Sequence, residues 1–289
     1  MFTKILIPTD FTDEADRVLD CAVGLKPLGL KEVVLVHVID ISRALIWPMP
    51  EQIRIAIDEH LAQRSKSLEK DGIKVKTAVL EGSPTDEILR SAEREKVSLI
   101  VTGSHGKRLV DELLQGSVSE GLGRESRVPI LLIRYDILKD IEKRTDLSKY
   151  AAEMFKKVLL PLDLSPVSQK ALHYTKQLKK AGAGEVVLLH VVDSKRMETE
   201  KEEAELYGRG KEEMAEAEKE LKRSKLETKT IYKIGDPLQE ILTLADAEDV
   251  SLIVMGSHGK GIVKEWMVGS VSLNVIRTAD RPALLVHEE

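Results

Sequence analysis

The chain of 289 residues is 42% hydrophobic, 32% charged and only 3% aromatic, with a formal net charge of −5 at pH 7. That length exceeds one ordinary core and suits two domains of about 100–200 residues each, while the apolar content excludes disorder. The negative charge argues against a large phosphate-backbone footprint, and a single cysteine, Cys21, excludes a disulfide framework or a multi-cysteine metal site. No apolar stretch approaches the roughly 18 residues of a membrane span. Asp10 and the pair Asp13-Glu14 come too soon after Met1 for a signal peptide, so a soluble, cytoplasmic protein is expected, with no membrane or nucleic-acid partner.

Taken in chain order, the apolar and mostly β-branched runs Lys4–Thr9, Val33–Ile39, Val75–Leu80, Leu99–Thr102 and Pro129–Ile133 predict strands buried on both faces. Between them, Ile53, Ile57 and Leu61 step by four residues, as the core stripe of a helix does. Gly82-Ser83-Pro84 predicts a helix start with Ser83 as cap and Pro84 in the first turn, leading to the apolar face Ile88, Leu89 and Ala92. The polar, helix-favouring residues 137–153 read as a linker containing a short helix.

The rest of the chain repeats the first part at an offset of 153 residues. Phe2-Thr-Lys-Ile-Leu-Ile-Pro-Thr-Asp10 falls on Phe155-Lys-Lys-Val-Leu-Leu-Pro-Leu-Asp163, and Glu32-Val-Val-Leu-Val-His-Val38 on Glu185-Val-Val-Leu-Leu-His-Val191. About half of the positions from Gly82 to Asp136 are identical to their partners, whereas 41–81 and 194–234 match poorly. A period of that length is a duplicated domain, not a solenoid unit. Two domains, 1–136 and 154–289, are expected on either side of the linker. In the second, Met214, Ala217 and Leu221 give an amphipathic helix within the charged run from Lys195 to Lys225, with Gly208 and Gly210 as candidate breaks. The βαβαβαβαβ alternation predicts an α/β fold, a parallel five-stranded sheet with helices on both faces in each copy. Ligands bind such sheets beyond the C-terminal strand ends, near the switch in strand order.

The segments just beyond the strand ends are therefore informative. After the fourth strand the first copy reads Gly103-Ser104-His105-Gly106-Lys107 and, further on, Gly116-Ser117; the second reads Gly256-Ser257-His258-Gly259-Lys260 and then Gly269-Ser270. Both are G-x-x-G-x9-G-S. Glycines there let backbone amides approach a ligand, and a phosphate at Gly116 or Gly269 meets the N-terminus of the next helix. Ser117 and Ser270 add hydroxyls, and Lys107 and Lys260 a cation. Ser117 with Glu120 also forms a capping-box pattern that needs no ligand. The residues between the fixed positions differ between copies, which favours the ligand reading.

The first strand ends in Pro8-Thr9-Asp10 and Pro161-Leu162-Asp163. Thr12 and the pair Ser165-Pro166 can cap the helices after them, leaving Asp10 and Asp163 surplus to capping and able to face a ligand. His37 and His190, inside apolar strands, read as packed and hydrogen-bonded residues, whereas His105 and His258 are candidates for phosphate or ribose contact. Trp47 and Trp266 occupy non-equivalent positions and suggest no shared site. Gly121 and Gly123 weaken the helix after Ser117, where the second copy has Asn274 and Ile276. No Walker loop, nucleophile elbow, zincin motif or paired nucleophile and base is present.

These residues resemble the universal stress protein family in its tandem, ATP-binding form, over nearly the whole chain. The resemblance rests on the two intact G-x-x-G-x9-G-S motifs, the P-x-D strand endings and the closing runs Val128-Pro-Ile-Leu-Leu-Ile133 and Arg281-Pro-Ala-Leu-Leu-Val286. It implies a Rossmann-like sheet of order 3-2-1-4-5 in each copy. It also implies ATP or AMP as ligand, with Mg2+ as an optional companion, Asp10 and Asp163 near the adenosine, and Val38 and Val191 against the adenine. Residues 103–107 with Gly116, Ser117 and Val118 would cradle ribose and phosphates. In the second copy Met255, Gly256 to Lys260, Gly269, Ser270 and Val271 would do so. Family members pair through their last strands, which implies an intrachain pseudo-dimer, with a further homodimer and an unidentified protein partner left open. The leading expectation is a non-enzymatic nucleotide-binding regulator. The alternative is a slow ATPase or a phosphoryl or nucleotidyl transferase, and the third reading is a scaffold with degenerate sites.

Overall fold

The computed structural model describes residues 1–42, 50–104, 118–139, 141, 143–196, 200–258 and 269–287. The chain divides into two compact units, Met1–Ala151 and Ala152–Glu289.

In the first unit β1 (Lys4–Pro8), β2 (Glu32–Asp40), β3 (Lys74–Gly82), β4 (Leu99–Ser104) and β5 (Ile130–Arg134) pair in parallel in the order β3-β2-β1-β4-β5. The helices are α1 (Asp13–Cys21), α2 (Glu51–Lys70), α3 (Pro84–Glu95) and α4 (Val118–Glu125), with the short α5 (Tyr135–Leu138) after β5. The progress of the strands reverses after β3. Right-handed crossovers therefore send α1 and α2 to one face and α3 and α4 to the other. The second unit repeats the plan with β6 (Lys157–Pro161), β7 (Glu185–Asp193), β8 (Glu227–Gly235), β9 (Leu252–Gly256) and β10 (Ala283–Val286), in the order β8-β7-β6-β9-β10. Between β5 and β6, α6 (Arg144–Glu153) comes after α5, and Leu147, Ala151 and Met154 are buried, so the described part of the expected linker holds helix. The helices of the second unit are α7 (Pro166–Gln177), α8 (Glu200–Arg223), α9 (Pro237–Ala247) and α10 (Ser270–Thr278).

The central strands are sealed on both faces: Ile5, Leu6, Ile7, Leu99, Ile100, Val101, Val158, Leu159, Leu160, Leu252, Ile253 and Val254 are fully buried. β3 and β8 depart from that expectation. They are edge strands, paired on one side only, and their exposed positions carry Lys74, Lys76, Glu227 and Lys233, charges that discourage edge-to-edge pairing.

Three helix expectations also change. In α2 only Leu61, Ser65 and Leu68 are buried, and Ile53 is exposed, because the inward-facing residues of that helix lie in its second half. Ser83 sits at the N-cap of α3 but its hydroxyl makes no cap bond, whereas Asp236 caps α9 by accepting from Leu238 N (3.1 Å) and Gln239 N (3.3 Å). Gly208 and Gly210 do not break α8, which runs through both. A Cβ on Gly210 would stand 2.6 Å from His190 Cδ2, so this glycine lets the helix backbone meet a strand histidine. The Met214, Ala217 and Leu221 stripe is buried as expected. Gly121 has a similar explanation: a Cβ there would stand 2.7 Å from Thr85 Oγ1, so α4 approaches α3 closely at that point.

Candidate functional site

The strand order reverses between β1 and β4 in the first unit and between β6 and β9 in the second, the position at which sheets of this kind receive ligands. At the first reversal the chain leaves β1 through Pro8. Thr9, buried, extends the pairing by one residue, its N–H donating to Val36 O at 2.8 Å. Phe11 then takes a φ of 65°, in the left-handed region. That conformation costs about 1–2 kcal/mol for an ordinary residue. Local bonds offset it: Phe11 N–H donates to Thr9 Oγ1 (3.1 Å), and Thr12 donates to Asp10 Oδ1 from its N–H (3.1 Å) and its hydroxyl (2.6 Å). Thr12 in turn caps α1 by accepting from Ala15 N at 3.3 Å.

The second unit builds the same turn from different residues. Leu162 N–H donates to Leu189 O (2.8 Å) and Leu164 has a φ of 65°. Asp163 Oδ1 accepts from Ser165 N (3.1 Å) and Oγ (2.7 Å), and Ser165 Oγ accepts from Ser168 N (3.2 Å). Thr12 and Ser165 thus cap their helices as the sequence suggests. Asp10 and Asp163 are not idle, however: in each, one carboxylate oxygen organises the turn.

Both strand histidines are packed and hydrogen-bonded. His37 Nδ1 donates to Thr9 O (2.8 Å) and His190 Nδ1 to Leu162 O (2.7 Å), since a carbonyl can only accept. Burial lowers the His37 pKa, against the opposing effects of the Thr9 hydrogen bond and the Asp10 charge. The surroundings of the two rings differ. His37 stacks on Phe11 with centroids 4.4 Å apart, Arg64 lies 5.1 Å from the same ring, and Arg64 Nε donates to Asp16 Oδ1 at 2.6 Å. The partners of Phe11 and Arg64 in the second unit are Leu164 and Ala217. Val38 and Val191, near the ends of β2 and β7, are half-buried.

At the other side of each reversal, β4 ends in Gly103 and Ser104, both buried, and β9 in Met255 and Gly256, with Ser257 next. In the second unit the two ends of the motif come together. Gly269 N–H donates to Ser257 O (2.8 Å), Ser272 Oγ donates to Gly256 O (2.8 Å), and Ser257 N–H donates to Val286 O (2.8 Å). Gly269 is the N-cap of α10 and supplies no side-chain acceptor, so the helix presents Ser270 and Val271 with no side-chain cap. Ser257 Oγ lies 3.1 Å from the Nδ1 of the half-buried His258. In the first unit Val118 opens α4 and is half-buried. His105, Gly106, Lys107, Gly116, Ser117, Gly259 and Lys260 lie outside the described residues, as do Trp47 and Trp266.

Two residues beside the site stand outside every sequence motif. Arg134, the last residue of β5, is 1% exposed and its Nη1 donates to Ser104 Oγ at 2.8 Å. Tyr135, the next residue, lays its ring against Gly103: a Cβ on that glycine would stand 1.9 Å from Tyr135 Cε1. The phenol is pushed above its ordinary range by burial and by the charges of Asp10 and Glu14. The one available signal is the repeat itself, which sets His287 and Glu288 opposite Arg134 and Tyr135.

Among the described residues, no group of three or more His, Cys, Asp or Glu is placed to hold a metal ion, and no helix is long and apolar enough to cross a membrane. The sequence pattern of the universal stress protein family matches residues 1–134 and 154–287. A universal stress protein of Methanocaldococcus jannaschii is 36% identical over 154 residues, which is 46% of this chain and 95% of that protein. One from Mycolicibacterium smegmatis is 23% identical over 298 residues, 98% of this chain and 96% of that protein. The crystal structure of a universal stress protein from Archaeoglobus fulgidus aligns with a TM-score of 0.73 at 26% identity, covering 99% of this chain and 96% of that one. The strand order, the paired P-x-D turns and the double family match agree: the chain belongs to the universal stress protein family, as a tandem of two such domains.

Proposed function

We propose that this tandem universal stress protein is a regulatory binder of adenine nucleotide, ATP or AMP, with one site in each domain and no catalytic turnover. The observation behind this reading is the retention of G-x-x-G-x9-G-S in both copies while the residues between its fixed positions diverge. The Gly269 to Ser257 hydrogen bond supports it by joining the two ends of one motif beside a helix N-terminus without a side-chain cap, an arrangement suited to phosphate.

In this reading Asp10 and Asp163 face the adenosine from the turns that follow β1 and β6. Val38 and Val191 line the base. The loops from Gly103 and Gly256, completed by Gly116, Ser117 and Val118 or by Gly269, Ser270 and Val271, hold ribose and phosphates, with Lys107 and Lys260 as counter-charges. Any Mg2+ enters with the triphosphate, not in a protein cage. The enzyme alternative needs a positioned base, and only Asp10 and Asp163 are candidates. Each already has one oxygen fixed by its turn, which favours binding without turnover. The bound nucleotide would then act through a protein partner in the cytoplasm.

Calorimetric titration with ATP and with AMP, with chromatography of the incubated nucleotide afterwards, tests this reading. Saturable binding with ATP recovered intact is expected. Failure of both nucleotides to bind would overturn it. Linear ADP release lost in Asp163→Ala would replace it with the ATPase reading.

A further inference from the structure

The two domains treat their first motif glycine differently. In the second domain a Cβ on Gly256 would stand 2.8 Å from Val167 Cγ1, and Val167 is a buried residue of the first turn of α7. The equivalent residue in α1 is Glu14, which is half-buried. The space that Val167 fills is taken in the first domain by Tyr135, arriving from beyond β5 and lying on Gly103. Arg17 of α1 donates to Leu138 O at the end of α5, which fixes this segment against α1.

The strand register locates the difference. Ile5 pairs with Leu99 and Leu6 with Ile100. The turn that carries Asp10 and the end of β4 that carries Gly103 therefore flank the point where the strand order reverses. Burial and the fields of Asp10 and Glu14 raise the pKa of the Tyr135 phenol, which therefore stays protonated beside them. The first turn of α1 holds Asp13, Glu14 and Asp16, and Arg64 pairs with Asp16; the first turn of α7 holds no acidic residue.

Resting on the nucleotide reading above, we propose that Glu14 and Tyr135 give the first site an acidic, phenol-lined wall that selects against polyphosphate. The first site then takes a nucleoside monophosphate, and the second, walled by Val167, takes ATP. A carboxylate within about 10 Å, the Debye length at 0.1 M salt, repels a ligand in proportion to the ligand's charge. It therefore opposes a triphosphate more than a monophosphate. Gly103 opens the loop expected to hold the phosphates, so a carboxylate flanking it acts on that part of the ligand.

Equilibrium dialysis of the full chain with labelled ATP and labelled AMP tests the proposal. Wild type, Glu14→Gln and Glu14→Val are compared, with the second domain as internal reference. Two unequal ATP sites are expected in wild type, the weaker with an ATP-to-AMP affinity ratio lower by about two- to tenfold, the scale of one carboxylate at this range. Glu14→Gln keeps the shape, removes the charge and should raise ATP affinity at the weaker site alone, with a smaller rise in AMP affinity there, so that the ATP-to-AMP ratio climbs. If Glu14→Val does not fold, the near-isosteric Gln variant decides. Equal ATP-to-AMP ratios at the two wild-type sites, or a ratio unmoved in Glu14→Gln, would overturn this inference and leave the nucleotide reading standing. No nucleotide bound at either site would overturn both.

Discussion

The imidazole of His37 donates from Nδ1 to the carbonyl of Thr9, and His190 does the same to Leu162 in the second domain, at 2.8 and 2.7 Å. Each bond ties β2 or β7, the neighbour of its domain's middle strand, to the residue just before the aspartate of the P-x-D turn. The strand histidine therefore acts on the site from outside it, by fixing the backbone from which Asp10 or Asp163 projects.

Removing that tie should destabilise the domain concerned. His190→Ala strips a fully packed ring and leaves the Leu162 carbonyl unpaired, at a cost of about 1–3 kcal/mol. His37→Ala, at a half-buried position, should cost less. Urea denaturation of both variants, monitored by circular dichroism, checks the order.

His37 also sets a pH dependence. Its folded pKa lies below the ordinary value of 6.5, so the folded state binds fewer protons than the unfolded chain between those two values. The stability it contributes is complete above pH 6.5 and is lost as pH falls through the folded pKa. The urea midpoint of wild type should decline in that window more steeply than that of His37→Gln.

A second acid response comes from the opposite end of the sheet. Lys76 and Lys4 hold the Glu95 carboxyl down to about 2, and Lys229 and Lys157 lower Glu248 in the repeated position. A depressed carboxyl contributes stability above its unfolded value of 4.5 and loses it as pH falls toward 2. Glu95→Gln should cost about 1 kcal/mol at neutral pH, the scale of a partly exposed ion pair. The same variant should flatten the acid limb of the stability curve below pH 4.5.

Two glycines in one helix should respond with opposite sign. Nothing surrounds a Cβ on Gly208, so Gly208→Ala gains helix propensity and stabilises by up to about 1 kcal/mol. The same change at Gly210 drives a methyl into the His190 ring and should destabilise by about 1–3 kcal/mol. Thermal melts of the pair distinguish the effects directly.

Cys21 offers a probe confined to the first domain. It is buried and burial pushes its thiol up to about 12, so the native protein should resist alkylation at about pH 8, near the ordinary thiol range. Labelling should appear only with unfolding of residues 1–151, which lets the first domain be monitored alone. Rapid labelling of the native protein would contradict the packing of α1.

Much of this architecture is legible in the sequence because the chemistry is local and occurs twice. Five apolar runs, the Ser165-Pro166 helix start and the 153-residue offset define the order of elements before any packing is known. Less visible is everything that depends on one element meeting another. Gly210 reads as a helix breaker until His190 is found against it, and Gly121 as a weakness until Thr85 is found there. Ile53 fits the helical period yet lies on a part of α2 with no buried side chain. Asp10 looks surplus beside Thr12 because periodicity says nothing of an aspartate that bonds the cap residue itself. Tyr135 occupies a position at which the two copies differ, and only the register of β4 and β5 brings it to Gly103.

The central claim is that each domain holds an adenine nucleotide, and the most direct measurement is of what the protein already carries. Freshly purified chain is denatured, and the released nucleotide is identified by chromatography and mass against the protein concentration. Intact adenine nucleotide at a ratio approaching one per domain, with ATP and AMP both present, is the predicted result. Protein that releases none, and that takes up neither ATP nor AMP on titration, would contradict the account.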